Sequence, residues 1–399
     1  MKGMKKITEL APGLHYVGAN DRTTQRFEAL WSLPYGVSYN SYLLVDEQVA
    51  LIDSIEAGFA DIYFDHIAGV LGDRPVDYLI VNHMEPDHSG SITRLRERYP
   101  DLKIVGNAKT LDMIGGYYGI RDNCLEVKEG DTLSLGGRTL RFHLTPMIHW
   151  PETMMTYCVE LKALFSGDAF GTFGALNGGI VDSQLCLEGF WDEMRRYYAC
   201  IVSKYGKPVQ MALRKLAGVD IEWICSTHGP VWHDRVADVV ALYDKMSRHE
   251  GEYGVVIAYG SMYGHTARVA EHIARELAER GVKPIVMHNL SFADPSMVLR
   301  DIHKYRALIV GSPTYNGELF PEMDALLDRL SSRGVAPRIF AGFGGMTWAG
   351  ATPRRWAEFC ERSKWSLCAP AIEIRQGYSS VCHEACAELA RSIADRLNG

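Results

Sequence analysis

Four metal-binding side chains stand within six positions of the segment VNHMEPDHSGS: His83, Glu85, Asp87 and His88. Imidazole and carboxylate are the ligands that iron, zinc and manganese accept at neutral pH. The segment follows the apolar run DYLIV and contains Pro86 and Gly90, so it reads as a loop past a strand end, where several side chains converge on one point. A polar surface loop is the alternative, but acids and imidazoles this dense after a buried strand are costly to place. His149 in TPMIHWPE, Asp168 in LFSGDAF and His228 in WICSTHGP each follow a β-like segment as well. A lone histidine is more often structural. Beside the first cluster, these three complete a candidate set of seven ligands. His15, His66, His143 and His233 lack such settings and read as structural.

A second group of residues suits an anion. Ser261, Met262, Tyr263, Gly264, His265 and Thr266 lie directly after the apolar run GVVIAYG, at a strand–loop–helix turn. Free backbone N–H groups and a helix N-terminus favour a phosphate there, although a plain helix cap has a similar appearance. The loop lacks the G-K-[ST] of an ATP-binding loop, and hydroxyl donors without lysine suit a monoester phosphate such as that of FMN. Two later loops add to it: Pro313, Thr314, Tyr315 and Asn316 in GSPTYNGELF, and Gly344, Gly345, Met346 and Trp348 in FGGMTWAG. Glycine permits close backbone approach, and Tyr315 or Trp348 can stack on a flat ring; ordinary loop packing is the other reading of these aromatics.

The elements that must position these residues differ between the two halves. Residues 1–250 show short alternating β patterns with glycine-rich turns, interrupted by helical stretches such as ITRLRERYP and one from Glu188 to about Leu216. That pattern predicts sheets covered by helices. The polar segment DKMSRHEGEYG reads as a linker or helix end. In residues 251–399, GVVIAYG, KPIVMHNL, RALIVGSPT, PRIFAGFGG and PAIEIRQGY alternate with amphipathic helical segments. Five such strands predict an α/β domain with a doubly wound parallel sheet, whose ligands bind beyond the carboxyl ends of the strands.

Composition narrows the functional classes. The formal net charge of −7 argues mildly against nucleic acid or an anionic membrane as partner. There is no apolar run of about 18 residues for a membrane span, and the start MKGMKKITELAPG has no apolar signal-peptide core. Nine scattered cysteines without a C-x-x-C pair suit a reducing compartment, so a cytoplasmic protein is expected. Cys382 and Cys386 are spaced to face one another on a helix, as two packed residues or, less commonly, as a metal or redox pair.

The first group of loops resembles the metallo-β-lactamase fold, in which such loops line a two-metal groove between sheets. Hydrolases of that fold usually carry histidine where this chain has Glu85. A carboxylate there adds charge and a harder oxygen ligand, which favours iron or manganese over zinc. H-x-E-x-D-H with the later His, Asp and His is the pattern of the flavodiiron proteins, and the three C-terminal loops resemble flavodoxin, with His265 where many flavodoxins have Asn. The resemblance covers essentially the whole chain. It implies a metallo-β-lactamase-like αββα sandwich over residues 1–250 and a flavodoxin-like FMN-binding domain with a five-stranded parallel sheet over residues 251–399.

By the same resemblance, His83, Glu85 and His149 hold one iron, Asp87, His88 and His228 hold the other, and Asp168 bridges them. The implied activity is reduction of O2 to water, of NO to N2O, or of both, with electrons held by the two irons and FMN. The implied donor is a separate protein such as rubredoxin, since no rubredoxin-like segment follows Gly399. A head-to-tail homodimer, with the flavin of one subunit against the irons of the other, is also implied. Trp150 reads as a shield over the metal pocket, and Tyr197 or Tyr198 as a hydrogen-bond donor to bound substrate, although core packing is the commoner role of such residues. Two rival readings are a zinc-dependent hydrolase with an accessory flavodoxin domain, and an electron carrier with a merely structural metal. Structural sites are usually mononuclear and closed, which weighs against the latter.

Overall fold

Short buried runs become strands, and longer amphipathic runs become the helices that connect them. The computed structural model describes residues 8–399. They divide into two compact units: the first holds the chain up to Tyr198 and Tyr205–Ser247, the second Ala199–Lys204 and Arg248–Gly399.

In the first unit, one sheet runs β1 (Thr8–Ala11), β2 (Leu14–Tyr16), β3 (Tyr42–Val45), β4 (Val49–Ile52), β5 (Tyr78–Ile80), β6 (Lys103–Gly106) and β7 (Cys124–Glu126), in that spatial order. It is antiparallel up to β4 and parallel from there on, the helix Ala60–Leu71 making the first crossover. The second sheet orders β8 (Thr132–Ser134), β9 (Thr139–Leu144), β10 (Met154–Cys158), β11 (Ala163–Gly167) and β12 (Trp223–Ser226), with only the last pair parallel. Leu44, Ile52, Ile80 and Val105 of the first sheet share one apolar core with Phe142, Met154, Phe165 and Cys225 of the second. This is the expected sandwich, with the strand ends free to carry chemistry.

The helical stretch after Glu188 is broken where a single helix was expected. An α-helix covers Glu188–Tyr197, a π turn Tyr198–Val202, a 3₁₀ turn Ser203–Tyr205, and a second α-helix Gly206–Leu216. Pro208 explains the restart: it has no N–H for the carbonyl of Lys204, and it is tolerated only in the first turn of a new helix.

The second unit contains β13 (Glu252–Tyr259), β14 (Ile285–Asn289), β15 (Tyr305–Tyr315), β16 (Ile339–Met346) and β17 (Ile372–Arg375), all parallel in the order β14-β13-β15-β16-β17. Val255, Ile257 and Ile309 pack against Val269, Ile273 and Leu389 of the helices His265–Glu279 and His383–Asn398. Strand alternation turns Val256 and Leu308 to the opposite face, so both faces are apolar and both need helices. The topological switch lies between β13 and β15, where the chain leaves the first strand towards one edge and later returns on the other side.

Phe142 is fully buried in the shared core of the first unit. We expect Phe142→Ala to lower stability by about 3–5 kcal/mol, seen as a lower urea midpoint.

Candidate dinuclear metal centre and flavin loops

The seven candidate ligands come from four loops at one end of the sandwich. The antiparallel register of β9, β10 and β11 puts the β9–β10 turn, with His149, beside the end of β11, with Asp168. The parallel β12 brings His228 alongside. Opposite them, the loop after β5 carries His83, Glu85, Asp87 and His88 and is hung on Asp53, which follows β4. The Asp53 carboxylate accepts hydrogen bonds from Asn82 N at 2.7 Å, Asn82 Nδ2 at 3.1 Å and His83 N at 3.3 Å.

The side chains gather in two sets. His149 Nε2 lies 3.0 Å from Glu85 Oε2 and 3.1 Å from Asp168 Oδ2, while His83 Nε2 lies 3.3 and 3.5 Å from the same two oxygens. In the other set His88 Nε2 is 3.2 Å from Asp87 Oδ2, 3.0 Å from Asp168 Oδ1 and 3.0 Å from His228 Nε2, which is 3.3 Å from Asp87 Oδ2. Asp168 therefore turns one oxygen to each set. All seven side chains are buried.

These residues fit two metal ions. Separations of this size are the edges of coordination polyhedra with bonds of about 2.0–2.2 Å. The Ser38 carbonyl accepts from His228 Nδ1 at 2.8 Å, and Glu152 Oε1 accepts from His83 Nδ1 at 2.8 Å. Both rings thus present an Nε2 lone pair to the centre. Both oxygens of the buried Asp87 carboxylate lack a hydrogen-bond donor, so a cation is what the pocket is missing.

The electrostatics carry the same message. Burial alone would lower the basicity of His83, yet the Asp168 carboxylate and the hydrogen bond to Glu152 outweigh it and hold the ring well above its usual range. Burial likewise opposes protonation of His88 and His149, but Asp87 and Asp168 lift the first to about 9, and Asp168 and Glu85 lift the second to about 9. Burial would raise Asp168, but the imidazoles of His88 and His83 hold it far below the carboxylate range.

Aromatic rings close the pocket. Trp150 stands perpendicular to His83 with centroids 5.4 Å apart, and the edges of Phe27 and Tyr197 approach His228 at 5.3 and 5.5 Å. The Tyr197 hydroxyl is buried without a hydrogen-bond partner, whereas Tyr198 turns to Tyr243. Of the two tyrosines, only Tyr197 stands at the centre. His143 instead approaches Glu129, and His233 stacks on Trp223, both away from the cluster. Sequence reasoning missed Asp53, Glu152 and Thr227, whose hydroxyl donates to Asp168 Oδ1 at 2.6 Å. Glu152 stands three positions after His149, a usable signal; Asp53 and Thr227 had none.

In the second unit, the three loops expected to hold FMN all lie at the carboxyl edge of the sheet. Gly264 adopts φ 88° at the entry to the helix His265–Glu279, and Ala267 N donates to Ser261 Oγ at 3.3 Å. Thr266 is buried, while Tyr263 and Trp348 are each 87% exposed, and Met262 and Tyr315 less so. Two expected loops begin later than the sequence suggested. Pro313, Thr314 and Tyr315 close β15, and Gly344, Gly345 and Met346 close β16, because the pairing continues to Pro313 opposite Gly345. Asn316 and Gly317 then make a tight turn with φ 50° and 77°. The fit to a flavin rests on open backbone. A Cβ on Gly264 would meet nothing within 4 Å, and one on Gly345 only Thr266 Oγ1 at 3.7 Å, so packing does not explain the bare Gly345. The exposed faces of Tyr315 and Trp348 offer stacking surfaces.

Cys382 and Cys386 are buried helix residues, and Cys382 Sγ donates to the Ser379 carbonyl at 2.8 Å. Among the described residues they join no group of metal-binding side chains.

Comparison with known proteins agrees with this division. Residues 37–229 match the ODP family beta lactamase, and residues 257–389 match the flavodoxin family. A nitric oxide reductase of Moorella thermoacetica is 30% identical over 99% of this chain and 100% of its own length. The solved structure of rubredoxin oxygen:oxidoreductase from Desulfovibrio gigas superposes with a TM-score of 0.94 and 29% identity, covering 98% of this chain and 99% of that one. The flavodiiron protein from Giardia intestinalis gives 0.94 and 27%, covering 99% and 97%. With both units matched in order and the alignment running nearly end to end, this chain belongs to the flavodiiron proteins.

Proposed function

We propose that this protein is an oxidoreductase that reduces O2 to water, NO to N2O, or both, at a di-iron centre, with FMN in the second unit as its electron store. The observation that carries the reading is the pair of buried ligand sets sharing Asp168, three carboxylates and four imidazoles in all. Relatives named as a nitric oxide reductase and a rubredoxin oxygen:oxidoreductase support the reaction class. They disfavour the hydrolase alternative, as does the carboxylate of Glu85.

In this reading His83, Glu85 and His149 hold one iron, Asp87, His88 and His228 the other, and Asp168 bridges. When bound, the irons supply electrons and act as paired Lewis acids that template the two reacting atoms. The chain's own residues set the conditions. Glu152 orients His83, the Ser38 carbonyl orients His228, and Phe27, Trp150 and Tyr197 exclude bulk water. The free Tyr197 hydroxyl is a hydrogen-bond donor available to a small bound molecule. FMN is assigned to Ser261, Met262, Tyr263, Gly264, His265 and Thr266, to Pro313, Thr314, Tyr315 and Asn316, and to Gly344, Gly345, Met346 and Trp348. Domain boundaries at 1–250 and 251–399 belong to the same reading.

A rubredoxin-type donor is supported by the name of the Desulfovibrio relative, and a head-to-tail homodimer by the family resemblance. The nine scattered cysteines, with no C-x-x-C pair, support a reducing compartment such as the cytoplasm. No helix among the described residues is long and apolar enough to cross a membrane.

Elemental analysis tests the centre: we expect two irons per chain from protein expressed with iron and zinc both available, and O2- or NO-dependent oxidation of the reduced protein under anaerobic mixing. Two zincs without iron, and no such turnover, would overturn the reading. Glu152→Gln should weaken metal affinity about 10- to 100-fold, as loss of a partner that orients a ligating histidine does, measured by competition with a chelator. Metal uptake should also release protons. His88 and His149 stay protonated up to about 9 in the metal-free chain, so apparent affinity should rise with pH through about 9. Calorimetry in buffers of different ionisation enthalpy measures that release; pH-independent uptake would contradict it.

A further inference from the structure

The three flavin loops leave two strand ends of the second unit without a role, those of β14 and β17. β17 is the edge strand on the far side, two places from β15 and three from β13, and the loop that follows it, Gln376–Ser379, would be expected to point away from the switch point. Instead it bends back. Gln376 donates the last rung of the β16–β17 ladder, its N–H to the Met346 carbonyl at 2.6 Å, and then takes the left-handed conformation at φ 66°, which turns the chain out of the strand direction. Gly377 then lies against the ring of His265, where a Cβ would approach Cε1 to 3.1 Å and Nδ1 to 3.3 Å. A narrow cleft results, lined by Thr266, Phe343, Gly344, Gly345, Ile374 and Gln376.

The loop is fastened from behind. The Tyr378 hydroxyl sits between two imidazoles, 3.2 Å from His272 Nδ1 and 2.9 Å from His383 Nε2. A hydroxyl donates one proton and accepts others, so it can bond to both rings at once when one ring nitrogen is a donor and the other an acceptor. The rings of His272 and His383 stack 4.6 Å apart at an angle of 19°, which closes the pair around the hydroxyl. Each histidine belongs to a different helix, His265–Glu279 and His383–Asn398, and both helices pack on the same sheet face. Ser379 completes the anchoring, with its N–H on Cys382 Sγ at 3.4 Å and its carbonyl accepting from the same sulfur.

We propose that Gln376, Gly377 and Tyr378 form a fourth wall of the flavin site, a clasp held against His265 by the Tyr378 hydroxyl between His272 and His383. The assignment rests on the FMN reading above. Its target is the phosphate end of the ligand, because His265 opens the helix whose N-terminus faces that group, while the ring-stacking surfaces of Tyr315 and Trp348 belong to other loops. Tyr378 is a positioning residue: it acts through Gly377 and His265.

Full-length flavin-free protein titrated with FMN and, separately, with riboflavin tests this. Tyr378→Phe keeps the ring and removes the latch; we expect FMN to bind about tenfold more weakly, the scale of one lost hydrogen bond, with riboflavin affinity and the melting temperature of the flavin-free protein unchanged. Gly377→Ala, which pushes the clasp off His265 without touching the latch, should give the same selective loss. Wild-type affinity for FMN in both variants, or an equal loss for FMN and riboflavin, would overturn the clasp while leaving the flavin reading intact. Wild-type protein that takes up no FMN would overturn both.

Discussion

The arrangement of the first unit depends on one buried carboxylate. Asp168 stands where two sets of imidazoles meet and turns Oδ2 to one and Oδ1 to the other. A carboxylate taken out of water without a partner is prohibitively costly, and here Glu85 and Asp87 are buried beside it. The pocket tolerates three such groups only because protonated histidines, or metal ions in their place, neutralise them. Every other feature of the site serves to hold those groups at polyhedron-edge distances: the Asp53 anchor under the β5 loop, the Glu152 and Ser38 acceptors behind the rings, and the aromatic cover over them.

That requirement explains the architecture. Seven side chains from four loops meet only if several strand ends share one edge, and a two-sheet sandwich with a common apolar core does this while keeping the loops free of packing duties. The second unit solves a different problem with a different sheet. A parallel sheet buried on both faces leaves its carboxyl edge as the place where backbone N–H groups, bare glycines and aromatic faces are exposed together. Buried charge in a dry pocket and the binding of a flat anionic cofactor are thus handled by separate folds.

Much of this was legible in the chain. His83, Glu85, Asp87 and His88 are so closely spaced after an apolar run that few structural explanations compete, whereas Gly264 with Ser261 and Thr266 after GVVIAYG carries a weaker signal, because a plain helix cap has a similar appearance. The parallel sheet of the second unit was readable, because its central strands carry long apolar runs and are separated by amphipathic helices. The helix after Glu188 was misjudged as continuous, since hydrophobic spacing alone does not register that Pro208 forces a restart. The loops after β15 and β16 were begun too early, because pairing between neighbouring strands, not local composition, decides where a strand ends.

What the sequence by itself determined is the chemistry available: which ligand types, how many, on which side of which strand, and the presence of two folding units with different periodicities. These are local properties, written in residue type and spacing. Only the tertiary structure decided how the groups are shared. It set Asp168 between the two sets, drew Asp53, Glu152 and Thr227 in as supports, separated Tyr197 from Tyr198, and bent the loop after the edge strand back onto His265. Those outcomes join residues more than a hundred positions apart, as His272 and Tyr378 are, and nothing in local composition encodes such pairings. They follow from sheet register and helix packing, which are properties of the whole chain.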